Sequence, residues 1–165
     1  MASSSSSSAR PVAAGPAGAR PAHPARPAGG AGPRLRRRAV RAWALPCSAL
    51  GLAAGALLAL AGARARRVDG TLEIGLRARQ HEVPRWARAC PFGAITLGHV
   101  IVGQSHEMLA RLRAHEQVHV RQYERWGALF LLAYPLASLW AGLRGGDPYR
   151  DNVFEREAVR GEGRG

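Results

Sequence analysis

Residues 105–127 read SHEMLARLRAHEQVHVRQYERWG. Ser105 is a helix N-cap residue, Glu107 in the first turn suits the positive end of the helix dipole, and Gly127 is a helix stop. The stretch therefore predicts one helix ending near Trp126. At about 100° per residue, Met108, Leu112, His115, His119, Tyr123 and Trp126 fall along one line. Arg113, Gln117, Arg121, Glu124 and Arg125 occupy the opposite side. The helix is thus expected to bury the first stripe and show the second to solvent.

Inside the buried stripe lies His115-Glu116-Gln117-Val118-His119, an H-E-x-x-H pentapeptide. Spacing of four puts both imidazoles on one helical face, where two nitrogens can grip one zinc ion. Glu116 is then placed to act as a general base on the attacking water. A catalytic zinc site needs a third protein ligand. His99 and His106 both lie upstream, and position 125, where a longer histidine motif would carry its third ligand, is Arg125. Downstream, Asn152 opens a short helix, Val153 to Arg160, which offers Glu155 and Glu157. Asn152 and Glu155 also have capping-box spacing, which would leave Glu155 on a backbone N–H and make Glu157 the ligand.

Outward from the helix, Ala94 to Val102 is rich in β-branched residues and predicts a strand closed by Gly103. Residues 68–76 predict a second strand with Asp69-Gly70 as a turn, and residues 77–93 are irregular. Ala128 to Leu143 is apolar but contains Pro135, which favours a buried, kinked or interfacial helix over a bilayer crossing. Asp147 to Asp151 is a turn.

Residues 42–63 carry no charge and are flanked by arginines, Arg34 to Arg41 on one side and Arg64, Arg66 and Arg67 on the other. That length can cross a hydrocarbon core of about 30 Å, with Trp43 at an interfacial position. The competing readings are a buried soluble helix and a signal peptide cleaved near Ala61-Gly62-Ala63. Arginine is denser before the run than after it, which places the N-terminus in the cytoplasm and the domain outside. Secreted and cytoplasm-facing arrangements are the alternatives. The bias disappears if translation starts near Val40.

The net charge of +13 suggests nucleic-acid binding until it is located. Residues 1–67 hold 11 arginines and no acid; the remainder holds 13 arginines against 11 carboxylates, a balance of only +2. The folded part has no basic stripe interleaved with aromatics, so no nucleic acid is expected as a partner. Residues 1–38, with the serine run Ser3 to Ser8, cannot bury enough apolar surface to become ordered. Cys47 and Cys90 lie in no C-x-x-C motif, and Cys47 reads as a small buried hydrophobe.

An H-E-x-x-H followed tens of residues later by a helical E-x-x-A resembles the gluzincin zinc peptidases of the thermolysin type. Here His115, Glu116 and His119, then Glu155 to Ala158, carry the pattern. The resemblance implies His115, His119 and Glu155 as Zn²⁺ ligands, Glu116 as the catalytic base, and the preceding strand as an edge that binds extended substrate. The aspartate common after that alanine is replaced by Val159. The run from His115 to Tyr123, with Trp126-Gly127 and the later Asp151 to Ala158, is also similar to small bacterial H-E-x-x-H proteins.

The expectation is an α+β chain: a disordered arm (1–38), a membrane anchor or signal segment (39–67), a zincin-like domain with a short sheet packed on the metal helix (68–160), and a tail (161–165). The expected function is a membrane-tethered zinc metallopeptidase acting on a peptide or protein substrate, with membrane lipid contacted through residues 42–63. The alternative is a non-catalytic membrane protein whose helix is structural, with or without zinc. Tyr149, His99 and Arg150 are the candidate helpers for a developing oxyanion.

Overall fold

Two short, largely buried segments, residues 71–76 and 100–105, organise the sheet. In the computed structural model, which describes residues 31–163, strands β1 (Arg64–Val68), β2 (Thr71–Leu76), β3 (Ala94–Leu97) and β4 (Val100–Ser105) form one sheet. Its order is β1-β2-β4-β3, parallel between β2 and β4 and antiparallel elsewhere. Each of the two expected strands is therefore a hairpin or half of one. The turn at Asp69-Gly70 has positive φ at both residues, 48° and 84°, which matches the twist of a two-residue hairpin. The expected continuous strand from Ala94 to Val102 is folded back at Gly98, whose φ of 64° suits glycine. The β-branched residues on both sides of Gly98 hid the break.

Successive residues of β2 and β4 face opposite layers. Ile74 and Val100 meet helix α2 (Leu45–Leu60), while Gly75 and Gly103 lie under Leu109 of helix α4 (His106–Trp126). Helix α2 comes so close that a Cβ on Gly51 would stand 2.7 Å from the Val100 Cβ and 3.1 Å from the Leu97 carbonyl oxygen. Ser48 fastens its first turn to the Gly98 turn by accepting the His99 N–H at 3.0 Å.

The uncharged run 42–63 is thus not one uninterrupted helix. Helix α1 (Ala31–Trp43) ends in a turn at Ala44, and Pro46 sits in the first turn of α2. The 16 residues of α2 rise about 24 Å, short of a hydrocarbon core of about 30 Å. Its outer face shows Leu50, Leu52, Leu57 and Leu60. Helix α1 also occupies the described part of the segment expected to lack structure, since arginine and alanine are good helix formers. Residues 1–30 lie outside the described residues.

Helix α4 begins and ends where expected: Ser105 Oγ accepts the Met108 N–H at 3.2 Å, and Gly127 closes it with φ 57°. Its predicted faces need correction. Leu109, Val118, Val120 and Gln122 are buried, whereas Trp126 is 39% exposed. The helix lies between the sheet on one side and helix α6 (Val153–Glu162) on another, so one stripe cannot describe its buried surface. After a 3-10 turn at Gly127–Leu129, helix α5 (Phe130–Leu143) follows. The run His106–Leu143 is long and apolar enough to cross a membrane by length and composition. Within the fold, α5 docks beside α4 and α6 through Phe130, Tyr134 and Ser138.

A buried acid fastens α4 to the sheet. Glu73 of β2 is fully buried and accepts from Arg113 at 2.8 Å and from Arg66 at 3.1 Å. Burial alone would raise its pKa; the two guanidiniums outweigh that and hold it below its ordinary value. Glu73→Gln should cost about 3 kcal/mol, the lower end for breaking a buried pair, because both arginines keep some solvent contact. The contribution is present above the unfolded carboxyl pKa of about 4.3 and disappears as pH falls below it. Urea unfolding of wild type and variant at pH 7 and pH 3 checks both; equal stability at pH 7 contradicts this account.

Candidate metal centre

Helix α6 carries the downstream glutamates back to α4. Its N-cap Asn152 accepts the Phe154 N–H at 2.9 Å and donates to the Tyr134 carbonyl at 3.1 Å and to Ser138 Oγ at 2.8 Å. Asn152 thus caps the helix by itself and leaves Glu155 for another role. The Glu155 carboxylate lies 3.2 Å from His115 Nε2 and 3.3 Å from His119 Nε2. Glu157 points elsewhere: it accepts from Gln122 at 2.9 Å and from Arg125 at 3.2 Å. Of the two glutamates, Glu155 is the one brought to the histidines.

The hydrogen-bond network determines which nitrogens carry protons. Gln122 spends its amide N–H groups on the Phe154 carbonyl and on Glu157, so its oxygen faces His119 Nδ1 at 2.8 Å. His119 Nδ1 must donate. The Glu162 carboxylate accepts from His115 Nδ1 at 2.6 Å. Both Nε2 atoms then offer lone pairs, yet they face each other at 3.0 Å. Glu155 Oε2 beside them is buried without a hydrogen-bond partner. Three electron-rich groups, with ligand atoms within 4.8 Å of one another, repel unless a cation joins them. His115, His119 and Glu155 could hold a metal ion, and the orphaned carboxylate oxygen fits that role.

Without metal, a proton is the cation available. The Glu155 carboxylate, opposed by burial and aided by Glu162, pushes the His115 imidazole up to about 9. Burial would raise Glu155, but the neighbouring imidazoles of His115 and His119 and the Tyr134 hydroxyl outweigh it and hold it well below the usual carboxylate range. A divalent metal must displace the His115 proton. Zinc uptake near pH 7 should therefore release close to one proton, and affinity should fall as pH drops. Calorimetry in buffers of different ionisation enthalpy measures this, and heats independent of buffer contradict it.

The histidines and Glu155 border a cleft of about 720 Å³, walled by β3 and α5 and lined largely by apolar side chains. Glu116 is buried there, and Thr96 Oγ1 donates to its Oε2 at 2.6 Å. β3 is an edge strand of the sheet and lines the same cleft. Tyr134 donates its hydroxyl to Glu155 Oε1 at 2.6 Å. Of the three side chains considered for the oxyanion, Tyr149 alone lines the cleft. His99 instead pairs with Glu124 at 3.2 Å.

Sequence reasoning missed four contributors. Gln122, three residues beyond His119, was recoverable from helical spacing. Glu162 was not, because Gly161 was expected to end a helix that continues through it. Thr96 and Tyr134 come from other elements and carry no local signal. No protein-family model, curated protein or solved structure matches the chain.

Proposed function

We propose that this chain is a metal-dependent hydrolase of α+β fold with a gluzincin-like ligand set. More particularly, we read it as a membrane-attached zinc peptidase. The observation that carries the reading is the convergence of His115 Nε2, His119 Nε2 and Glu155, whose Oε2 has no hydrogen-bond partner, beside a buried Glu116. Two imidazoles and one carboxylate suit Zn²⁺. When bound, that ion supplies Lewis-acid polarisation of a peptide carbonyl and lowers the pKa of a water.

The chain's own residues do the rest. Glu162 and Gln122 orient the two imidazoles by accepting from their Nδ1–H groups. Thr96 holds Glu116 Oε2 and leaves Oε1 to take the proton from the attacking water and pass it to the leaving amine. Apolar side chains of the cleft exclude bulk water around an extended peptide.

The membrane part of the reading rests on the exposed leucines of α2 and on Leu132, Leu136 and Leu139 of α5. Crossing of a bilayer by α5 would separate His115 and His119 from Glu155, so attachment is assigned to the stretch 42–63 and to interfacial contact. If that stretch crosses the bilayer, the arginine excess before it supports an orientation with the domain outside the cytoplasm.

The test is hydrolysis of a fluorogenic peptide library by the full-length protein in detergent. Cleavage should vanish with a chelator and return with zinc. Stoichiometric zinc with no cleavage of any peptide would leave the metal a structural role in a small fold.

A further inference from the structure

A second concavity, of about 380 Å³, lies where β1 begins and β2 ends and shares no residue with the metal-site cleft. Arg64, Arg66, Arg77 and Arg79 line it, together with His106 and Glu107. Arg66 is engaged by Glu73 and by the His106 carbonyl. Arg64, Arg77 and Arg79 are exposed to solvent, and Arg64 Nη1 donates to the Ala63 carbonyl at 3.4 Å. The gathered positive charge is felt next door: burial first, then Arg66 and Arg77, hold His106 below its ordinary pKa. His106 Nδ1 is buried without a hydrogen-bond partner.

Several guanidiniums around one concavity repel one another and focus a positive potential into it. Their planar forks match the oxygens of a phosphate group, which can take two charge-assisted hydrogen bonds from each. We propose that this cleft binds a phosphate group, with Arg64, Arg77 and Arg79 as its principal donors. The phosphate can belong to a lipid headgroup or to a soluble phosphate compound. Helix α2 ends at Leu60, 88% exposed, only a few residues before Arg64, so acyl chains and a headgroup would meet adjoining surfaces.

Full-length wild type and an Arg77→Ser/Arg79→Ser variant separate the sources. One arm titrates inorganic phosphate by calorimetry. The other floats the protein with phosphatidylcholine vesicles, with and without phosphatidylglycerol. The double substitution should weaken binding about tenfold or more, while zinc stoichiometry stays unchanged. Loss in the phosphate arm identifies a soluble ligand; loss confined to anionic vesicles identifies a lipid. Failure of wild type to bind either probe overturns the proposal. So does a variant that binds as tightly as wild type, the result expected if arginines elsewhere in the chain did the binding.

Discussion

Glu155→Ala is expected to weaken zinc binding by ~10³-fold or more, while Glu157→Ala changes it by less than about tenfold. The difference follows from position. Glu155 lies 3.2 Å and 3.3 Å from the two Nε2 atoms, whereas Glu157 reaches His119 only through Gln122. Residues that hold a ligand imidazole cost about 10–100-fold when removed, so Gln122→Ala and Glu162→Ala should fall between the two glutamates. Loss of a ligand atom exceeds that range because it empties a coordination position. Competition with a chromophoric chelator gives all four affinities, and circular dichroism checks that each variant folds. Metal retained by Glu155→Ala and lost by Glu157→Ala would reverse the ligand assignment.

Glu116→Gln is expected to keep one zinc and lose about 10²–10⁴-fold in hydrolysis of whichever library peptide the wild type cleaves. The amide matches the carboxylate in shape and still accepts the Thr96 hydroxyl at one oxygen, so the site persists. It cannot take a proton at neutral pH. Glu116 is not among the three residues whose ligand atoms converge, so metal content should be insensitive to the change. Full activity in Glu116→Gln would remove the general base from the mechanism. Loss of zinc together with activity would move Glu116 from base to ligand.

The H-E-x-x-H helix was legible because its signals are local. A cap at Ser105, a stop at Gly127 and a four-residue histidine spacing all act within a few turns of one helix. The layers on either side of it were not legible. Arg113 was assigned to the solvent face, yet Glu73, 40 residues away, draws it inward. The strand from Ala94 to Val102 carried no charge or proline to mark its fold-back, and only the positive φ at Gly98 exposes the turn. The resemblance favoured Glu155, but the capping-box spacing kept Glu157 as a fallback, since both lie on one short helix. Rotation of that helix about its axis, set by Asn152 against α5, selected between them.

The sequence by itself determined the chemistry available: two imidazoles on one helical face, a glutamate between them and an apolar stretch flanked by arginine. Those properties depend on residue type and helical period alone. Only the tertiary structure decided which carboxylate lies beside the two imidazoles, which groups orient them, and that the apolar α2 lies on a sheet. Each of those depends on contacts between segments far apart in the chain, and hydrophobic periodicity, which reports burial without naming the neighbour, holds no record of them.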